Sequence, residues 1–545
     1  MNSNKLILFL VFALLSCSSP LVAQGKHGHG GSEVLGKVHF PVSCNALSQD
    51  QFDRAMAWLH SFGYEIAGKS FSSITNSDPT CAMAYWGLAM SYYHPLWEPP
   101  DAGTLQKGWE AVQKAKSLGA KTQRERDYID AIEVFYKDFD KLDHRTRALA
   151  YEKAMEQLYR RYPEDREAAI LYALAMRATA LETDKSYTKQ KRSSEILEKI
   201  FKEQPEHPGL AHYIIHCNDY PSLASHGLDA ARRYAKIAPS SPHALHMPSH
   251  IFTRLGYWDE SITSNRASEA AAKEFALENF KDATWDQQLH AMDYLMYAYL
   301  QSARDKEAKT VLDEANSIRK LQPENLTAAY ALAAMPARYA IERRQWTEAS
   351  SLTLSPADFP WSRYPIAGAI QYFARTVGAA RGGDLEGART NLEKIESFRS
   401  ASAGGKGNYD WAGQVEILRR EAAAWVAYAE GKNDNAMKLM RSAASLEDST
   451  DKHPVTPGPI VPAHELLADL LLEMRKPAQA LQEFETSLES SPNRFNAMYG
   501  AARAAELTGD KSKAAELYGK LIEVCKNADG QRMELKEAKA FLAKK

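Results

Sequence analysis

The most constraining feature of this sequence is a pattern of small residues that recurs every 34 positions near the C-terminal end. Ala468 and Ala502 are 34 residues apart, and so are Ala480 and Ala514. Between them lie apolar residues at helical spacing and turn residues such as Gly509. A period of this length is typical of a unit of two antiparallel helices, in which small residues let the helices approach closely. The pattern therefore predicts stacked helical hairpins.

The same pattern recurs less regularly upstream, for example at Ala67, Phe71 and Pro79 and again at Ala230, Tyr234 and Pro242. The sequence thereby resembles the tetratricopeptide repeat (TPR) superfamily, and in particular exported bacterial TPR proteins of unassigned activity. The resemblance implies an all-α fold, a right-handed superhelical solenoid of about ten TPR-like hairpins. It predicts the solenoid over residues 51–527, with the strongest repeats at 460–527, and a C-terminal helix or tail at 528–545. Pro- or Gly-rich insertions at 355–365, 400–411 and 448–462 interrupt the array and are predicted to be loops over one face. The resemblance implies no activity, because the scaffold hosts many functions.

The N-terminus has the features of an export signal. Lys5 precedes a short apolar run, and a small-residue cleavage site ends at Ala23. We therefore expect a signal peptide at 1–23, a leader at 24–50, and a periplasmic or secreted protein. Cleavage before Cys17 is the alternative, which would leave a lipoprotein anchored through that cysteine. No other segment is apolar enough to span a membrane.

Charge and cysteine content narrow the partners and the compartment. The formal net charge is −2 and no basic tract is present, so we expect no nucleic-acid partner. An oxidising compartment permits disulfides, and Cys44 and Cys81 flank the first predicted hairpin. They are the favoured disulfide pair.

Histidine is concentrated in one part of the chain. Seven of the 16 histidines fall between His207 and His250, and His290 and Asp293 follow. In TPR proteins the first helix of each hairpin lines the concave groove. Aligned on that resemblance, three successive hairpins direct imidazoles and a carboxylate into the groove. The predicted metal ligands are His212, His216, His243, His246, His250, His290 and Asp293.

Imidazole is a common ligand of transition metals, so the set predicts a metal-binding site for Zn, Cu or Fe, with enough ligands for two ions. The leading hypothesis is an exported solenoid whose metal site in the groove binds or transforms a small substrate, and thus a possible metal-dependent enzyme. The alternative is a protein- or peptide-binding TPR scaffold without metal, in which the histidines are incidental. The expected partner is thus a small-molecule or peptide ligand in the groove, or another protein, and whether the chain is an enzyme stays open.

Other residues are predicted to support this site. Asp219 is a candidate for orienting a histidine ring, and His60, His94 and Trp86 are candidates for the groove wall. His207 and His226 are predicted to lie in a loop and a turn. Pro248 interrupts the helical pattern between His246 and His250. Either a helix begins there or a longer helix is kinked.

Overall fold

Alpha-helices in consecutive hairpins make up nearly all of the structure, a computed structural model that describes residues 33–96, 99–403 and 409–544. Within those ranges the only strands are β1 (Thr284–Trp285) and β2 (Leu321–Gln322), which pair in parallel. No helix there is long and apolar enough to cross a bilayer. The predicted signal peptide at 1–23, including Cys17, lies outside the described residues. The all-α fold of stacked helical hairpins is confirmed.

The described residues of the N-terminal third form eight helices: α1 (Ala46–His60), α2 (Tyr64–Ser77), α3 (Ala82–Ser91), α4 (Ala102–Leu118), α5 (Gln123–Tyr136), α6 (His144–Arg161), α7 (Arg166–Ala178) and α8 (Thr188–Glu203). Helix α1 begins inside the segment that the sequence assigns to a leader, and Asn45 caps its first turn. Phe40, in the same segment, is fully buried. A disulfide joins Cys44 to Cys81 and so ties the start of α1 to the start of α3.

The middle third carries the histidines: α9 (Pro208–Asn218), α10 (Leu228–Ile237), α11 (Pro242–His246), α12 (Pro248–Leu255), α13 (Trp258–Asn279), α14 (Asp286–Gln301), α15 (Asp305–Ser317) and α16 (Leu326–Glu342). A 3₁₀ turn, Ala224–Gly227, precedes α10. Helices α9 and α14 are buried around their whole circumference, which distinguishes them from the amphipathic helices outside.

The C-terminal third contains α17 (Trp346–Ser350), α18 (Pro365–Gly382), α19 (Leu385–Ser402), α20 (Trp411–Ala429), α21 (Asn433–Asp448), α22 (Ala463–Glu473), α23 (Pro477–Ser490), α24 (Phe495–Leu507), α25 (Lys511–Val524) and α26 (Met533–Ala543). A 3₁₀ turn, Trp361–Arg363, precedes α18. The four alanines of the 34-residue pattern are fully buried where α22 to α25 pack together. Small side chains at these positions allow the close approach.

Hairpins that are distant in sequence contact each other, and we call these contacts the closure of the array. Helix α1 packs against α9, and α24 packs against α14. The Trp258 indole donates a hydrogen bond of 2.9 Å to the Asn493 carbonyl, across 235 positions of sequence. Repeats distant in sequence are therefore neighbours in space.

One long connection runs through the interior. Residues 449–462 link α21 to α22, and the sequence predicted this Pro-rich stretch as a loop over one face. Val455, Thr456, Ile460 and Val461 are instead buried. The apolar side chains gain more from burial than from a surface position, and the polar ones find partners inside. We call residues 449–462 the inner connection.

Candidate metal centre

Six buried histidines from four helices meet inside the molecule, and none is more than 5% exposed. They are His212 and His216 on α9, His243 and His246 on α11, His250 on α12, and His290 on α14. They form two groups of three, in each of which one ligand atom per residue lies within 4.8 Å of the others.

The first group is His212, His216 and His243. The His212 Nε2 atom lies 3.1 Å from the Nε2 of His216 and 3.1 Å from the Nε2 of His243. Two nitrogens bound to one tetrahedral metal through bonds of about 2.1 Å lie roughly 3.4 Å apart. The spacing therefore suits a single ion with three imidazole ligands.

The second group is His246, His250 and His290. The Nε2 atoms of His246 and His250 are 3.0 Å apart. The His290 ring centroid lies 4.1 Å from that of His246 and 6.0 Å from that of His250. This group has the same composition as the first, with three imidazoles and no carboxylate.

Hydrogen bonds fix the tautomers of the second group. Asn265 donates its amide N–H to the Ser261 carbonyl, so its oxygen faces His246 Nδ1. That oxygen lies 2.6 Å from Nδ1 and must accept a hydrogen bond from its N–H. The Asp219 carboxylate accepts from His250 Nδ1 at 2.9 Å. A neutral imidazole has one N–H, so both Nε2 atoms carry lone pairs. Two lone pairs therefore face each other.

The first group shows the same arrangement. His212 Nδ1 donates to the His60 carbonyl at 2.6 Å, and His243 Nδ1 faces the Gln287 amide oxygen at 3.2 Å. The Nε2 atoms of His212 and His243 are thus both acceptors at 3.1 Å. Facing acceptors repel each other unless a cation lies between them.

Tyr294 does not relieve this repulsion. Its ring packs 4.7 Å from His246 and 5.0 Å from His250, centroid to centroid. Its hydroxyl is 3.4 Å from His250 Nε2 but donates at 3.1 Å to the Thr456 carbonyl of the inner connection. The single hydroxyl proton is therefore directed away from the imidazole.

Protonation of the rings does not relieve this repulsion near pH 7. Burial lowers the pKa of all six histidines, that of His243 to about 3, and neighbouring imidazoles lower it further in most of them. Burial disfavours the charged form of an imidazole, so each ring is neutral near pH 7. Neutral imidazole is the form that binds metal.

A third buried cluster provides an internal contrast. The Glu167 carboxylate accepts from His60 Nε2 at 3.0 Å and from His207 Nε2 at 2.8 Å. Hydrogen bonds from the two rings satisfy both oxygens of the Glu167 carboxylate. Despite burial, these charge-assisted bonds hold the pKa of Glu167 well below its usual range. His60 and His207 therefore act in packing α1 and α9 against α7.

The two groups lie side by side. Ring centroids are 5.9 Å apart between His216 and His250, and 6.2 Å apart between His243 and His246. Two ions held in these groups would share one enclosed compartment, as in two-metal enzymes, where the ions are about 4 Å apart.

Asp219 links the second group to the inner connection. Beside its bond to His250, its carboxylate pairs with Arg254 Nε at 2.8 Å and with Lys452 Nζ at 2.7 Å. These charges hold the pKa of Asp219 well below its usual range, although burial opposes them. Asp219 therefore remains an anion that accepts from His250.

Asp293 departs from the predicted ligand set. Its carboxylate pairs with the buried guanidinium of Arg338, and it belongs to none of the ligand groups formed by the described residues. Arg338 also donates to the Gly458 carbonyl at 2.8 Å. His290, on the same helix as Asp293, joins the second group, whereas Arg338 on α16 pairs with the Asp293 carboxylate.

Of the predicted groove-wall residues, Trp86 differs from expectation. Trp86 is 1% exposed and packs against Phe40 and Tyr128, with centroids 5.3 and 5.6 Å away, so it belongs to the N-terminal core. The His94 ring centroid lies 4.1 Å from that of Tyr64, and its Nε2 is hydrogen-bonded to the Ser91 carbonyl at 3.0 Å. His226 is exposed on the 3₁₀ turn before α10.

The chain at Pro248 combines both alternatives left open by the sequence. Helix α11 ends at His246 and α12 begins at Pro248, while Met247 between them keeps right-handed helical torsions. The break therefore changes direction little, and His246 and His250 stay on neighbouring turns.

Several residues that define the centre carried no signal in the sequence. Asn265, Gln287 and Lys452 lie 19, 44 and 233 positions from the residues they contact, which are His246, His243 and Asp219. Tyr294 is the exception, because it follows His290 by four positions and so shares its helical face.

Comparisons with known proteins concern architecture. No protein-family model and no curated protein matches the chain. Human IFIT1, solved as a dimer with m7Gppp-AAAA, is 12% identical with a TM-score of 0.37, covering 81% of this chain and 90% of that one. A TPR protein from Parabacteroides merdae is 12% identical with a TM-score of 0.23, over 77% and 98%. The APC/C hetero-tetramer Cut9–Hcn1 is 13% identical with a TM-score of 0.34, covering 91% of this chain and 83% of that one.

At these identities and TM-scores the likeness carries no assignment of ligand or activity. The hairpin pattern and the buried alanines support one statement: this chain resembles the proteins of the tetratricopeptide repeat superfamily.

Proposed function

We propose that this chain is a metalloprotein that holds two transition-metal ions, one in each histidine group, and acts on a small molecule. The observation that carries the proposal is the tautomer arrangement. In each group, neighbours fix the proton on Nδ1 of two histidines and leave their Nε2 lone pairs facing each other at 3.0–3.1 Å. A metal ion converts this repulsion into two bonds.

The ligand chemistry selects the class of metal. Imidazole nitrogen suits Zn, Cu and Fe, whereas Mg and Ca require oxygen. Three protein ligands per ion leave a coordination position for water or substrate, which is the pattern of catalytic rather than structural zinc. This favours an enzyme, with the ions as Lewis acids or redox centres.

The scaffold alternative, a protein- or peptide-binding groove without metal, has less support. The inner connection occupies the face of α14 and α16 that an open TPR groove would offer. An extended peptide would have to displace its buried contacts.

Export belongs to the same proposal. The Cys44–Cys81 disulfide favours an oxidising compartment, because cytosolic thiols are kept reduced. A mature chain beginning after Ala23, or one anchored through Cys17, would meet this condition.

The test is the metal content of the untagged chain, purified without metal resin and then loaded separately with Zn, Cu or Fe. We expect two ions per chain, and one ion in each of the paired variants His212→Ala/His216→Ala and His246→Ala/His250→Ala. The exposed His226→Ala variant is the control and keeps two. A wild-type content far below one ion, unchanged in both paired variants, contradicts the proposal.

A second readout does not depend on the variants folding. Because the ions bind the folded chain, adding the preferred metal to chelator-treated wild type raises its melting temperature in a concentration-dependent way. A melting temperature that does not respond to any of the three metals also contradicts the proposal.

A further inference from the structure

A cavity of about 280 Å³ lies beside the first histidine group. His243 and Phe62 form the wall between them. The Phe62 ring centroid is 4.3 Å from that of His212, 5.5 Å from that of His243 and 5.6 Å from that of His216. One aromatic ring thus lies against all three imidazoles. We call this space the Trp285 cavity.

Aromatic rings line much of the Trp285 cavity. Tyr64 stacks between Phe62 and His94, with centroids 5.1 and 4.1 Å away. Trp285 closes another side and is held by Phe275 at 4.4 Å. Electron-rich faces of this kind attract cations as well as apolar groups.

Carboxylates outnumber cations along the lining. Glu65, Asp101 and Asp286 line the cavity, against one guanidinium, that of Arg363. Asp286 is 4% exposed and accepts a hydrogen bond of 2.8 Å from Asn325. Burial, together with the nearby charge of Glu65, raises the pKa of Asp286 to about 7. A cation between Glu65 and Asp286 would relieve their mutual repulsion.

The carboxylates are also connected to the metal ligands. Gln287 follows Asp286 at the start of α14, lines the cavity, and accepts from His243 Nδ1. A ligand held by Asp286 therefore lies one side chain away from the imidazole that would bind the first metal.

From this geometry we propose that the Trp285 cavity binds a small organic cation, a protonated amine on an apolar or aromatic body, and presents it to the metal at His212, His216 and His243. The amine lies between Glu65 and Asp286, and the body packs on Tyr64 and Trp285. The inference rests on the proposed function for its second half, because only a bound metal makes the cavity a substrate site.

The first test is a binding panel with the full-length wild-type chain, measured by calorimetry. The probes are tryptamine, indole and indole-3-acetate, which share one ring system and differ in charge. We expect tryptamine to bind more tightly than indole-3-acetate by about tenfold or more, since both the rings and the carboxylates favour the cation. Equal binding, or tighter binding of the acetate, overturns the proposal.

Variants locate the site. In Glu65→Gln and Asp286→Asn we expect the tryptamine affinity to fall by about tenfold while the metal content stays at two ions per chain. The exposed Glu260→Gln is the matched control and leaves the affinity unchanged. Wild-type affinity in both cavity variants overturns the assignment.

Cobalt substitution tests the link to the metal. Tryptamine should shift the visible spectrum of the cobalt-loaded chain, and should do so less in Asp286→Asn. An unchanged spectrum despite tryptamine binding refutes presentation to the metal. If the chain takes up no metal at all but still selects tryptamine, the proposed function fails while the cavity's ligand class stands, so the two failures are distinguishable.

Discussion

At the scale of single residues, the centre depends on what holds the far nitrogen of each ring. The Asn265 oxygen and the Asp219 carboxylate hold Nδ1 of His246 and His250, and the His60 carbonyl holds that of His212. Such partners fix the tautomer and leave a lone pair on the opposite nitrogen, where the proposed metal would bind. They should therefore matter for metal binding without touching the ion.

Asn265→Ala tests this role. Without the amide oxygen, His246 can carry its proton on Nε2, so we expect the affinity of the second group for metal to fall by about 10- to 100-fold. Asn265→Asp keeps an acceptor and should retain most of the affinity. Competition against a chelator measures both. If Asn265→Ala, folded by circular dichroism, binds both ions as wild type does, tautomer fixation is not the reason for the arrangement.

The residue scale also shows what the sequence could predict. Spacings of three and four positions were enough to place His212 with His216, and His246 with His250, because helix geometry is local. Nothing local distinguished His290, which joins a ligand group, from Asp293, which pairs with Arg338. That choice depends on a side chain 45 positions away.

At the scale of elements, the inner connection is a structural part of the interior and not a surface loop. Its Lys452 is buried against Asp219, and its Thr456 and Gly458 accept from Arg338. Burial lowers the pKa of Lys452 to about 8, so the ammonium is still charged at pH 7. Removing one partner of a buried ion pair leaves the other charge poorly compensated.

Lys452→Met should therefore reduce the free energy of unfolding at pH 7 by about 3 kcal/mol, the lower end for a broken buried pair, because Asp219 keeps Arg254. Urea denaturation measures it. Lys309→Met, which removes an exposed pair with Asp313, is the matched control and should cost less than about 1 kcal/mol. Equal costs in the two variants would show that the inner connection contributes little stability.

Helices and the inner connection differ in how well the sequence predicted them. The alanines at 34-residue spacing identify α22 to α25, because close helix packing leaves a periodic trace. Proline and glycine in 449–462 indicated only that no helix forms there. Which side of the array the segment follows depends on Asp219, Tyr294 and Arg338, which are distant in sequence.

At the scale of the whole molecule, closure separates this chain from an open repeat array. In an open solenoid each repeat contacts only its neighbours, so stability is nearly a sum of local terms. Here α1 meets α9 and α24 meets α14. This closure brings His60 to His212, although 152 positions of sequence separate them.

Arg494 is the side chain on which the C-terminal closure is centred. Fully buried, it pairs with Glu465 at 2.7 Å and Glu342 at 2.5 Å, and donates to the Tyr297 hydroxyl at 2.8 Å. It thereby joins α14, α16 and α22 at the start of α24. Losing it would leave two carboxylates buried without their cation.

We expect Arg494→Met to lower the free energy of unfolding by about 3–5 kcal/mol. The control is Arg503→Met, which loses a surface pair with Glu506 and should change that free energy by less than about 1 kcal/mol. Calorimetry should also show the single transition of the wild type separate into two, because the hairpins after 460 no longer unfold together with α14. A variant that keeps one transition at the wild-type temperature would mean that neighbour contacts alone carry the stability, as in an open array.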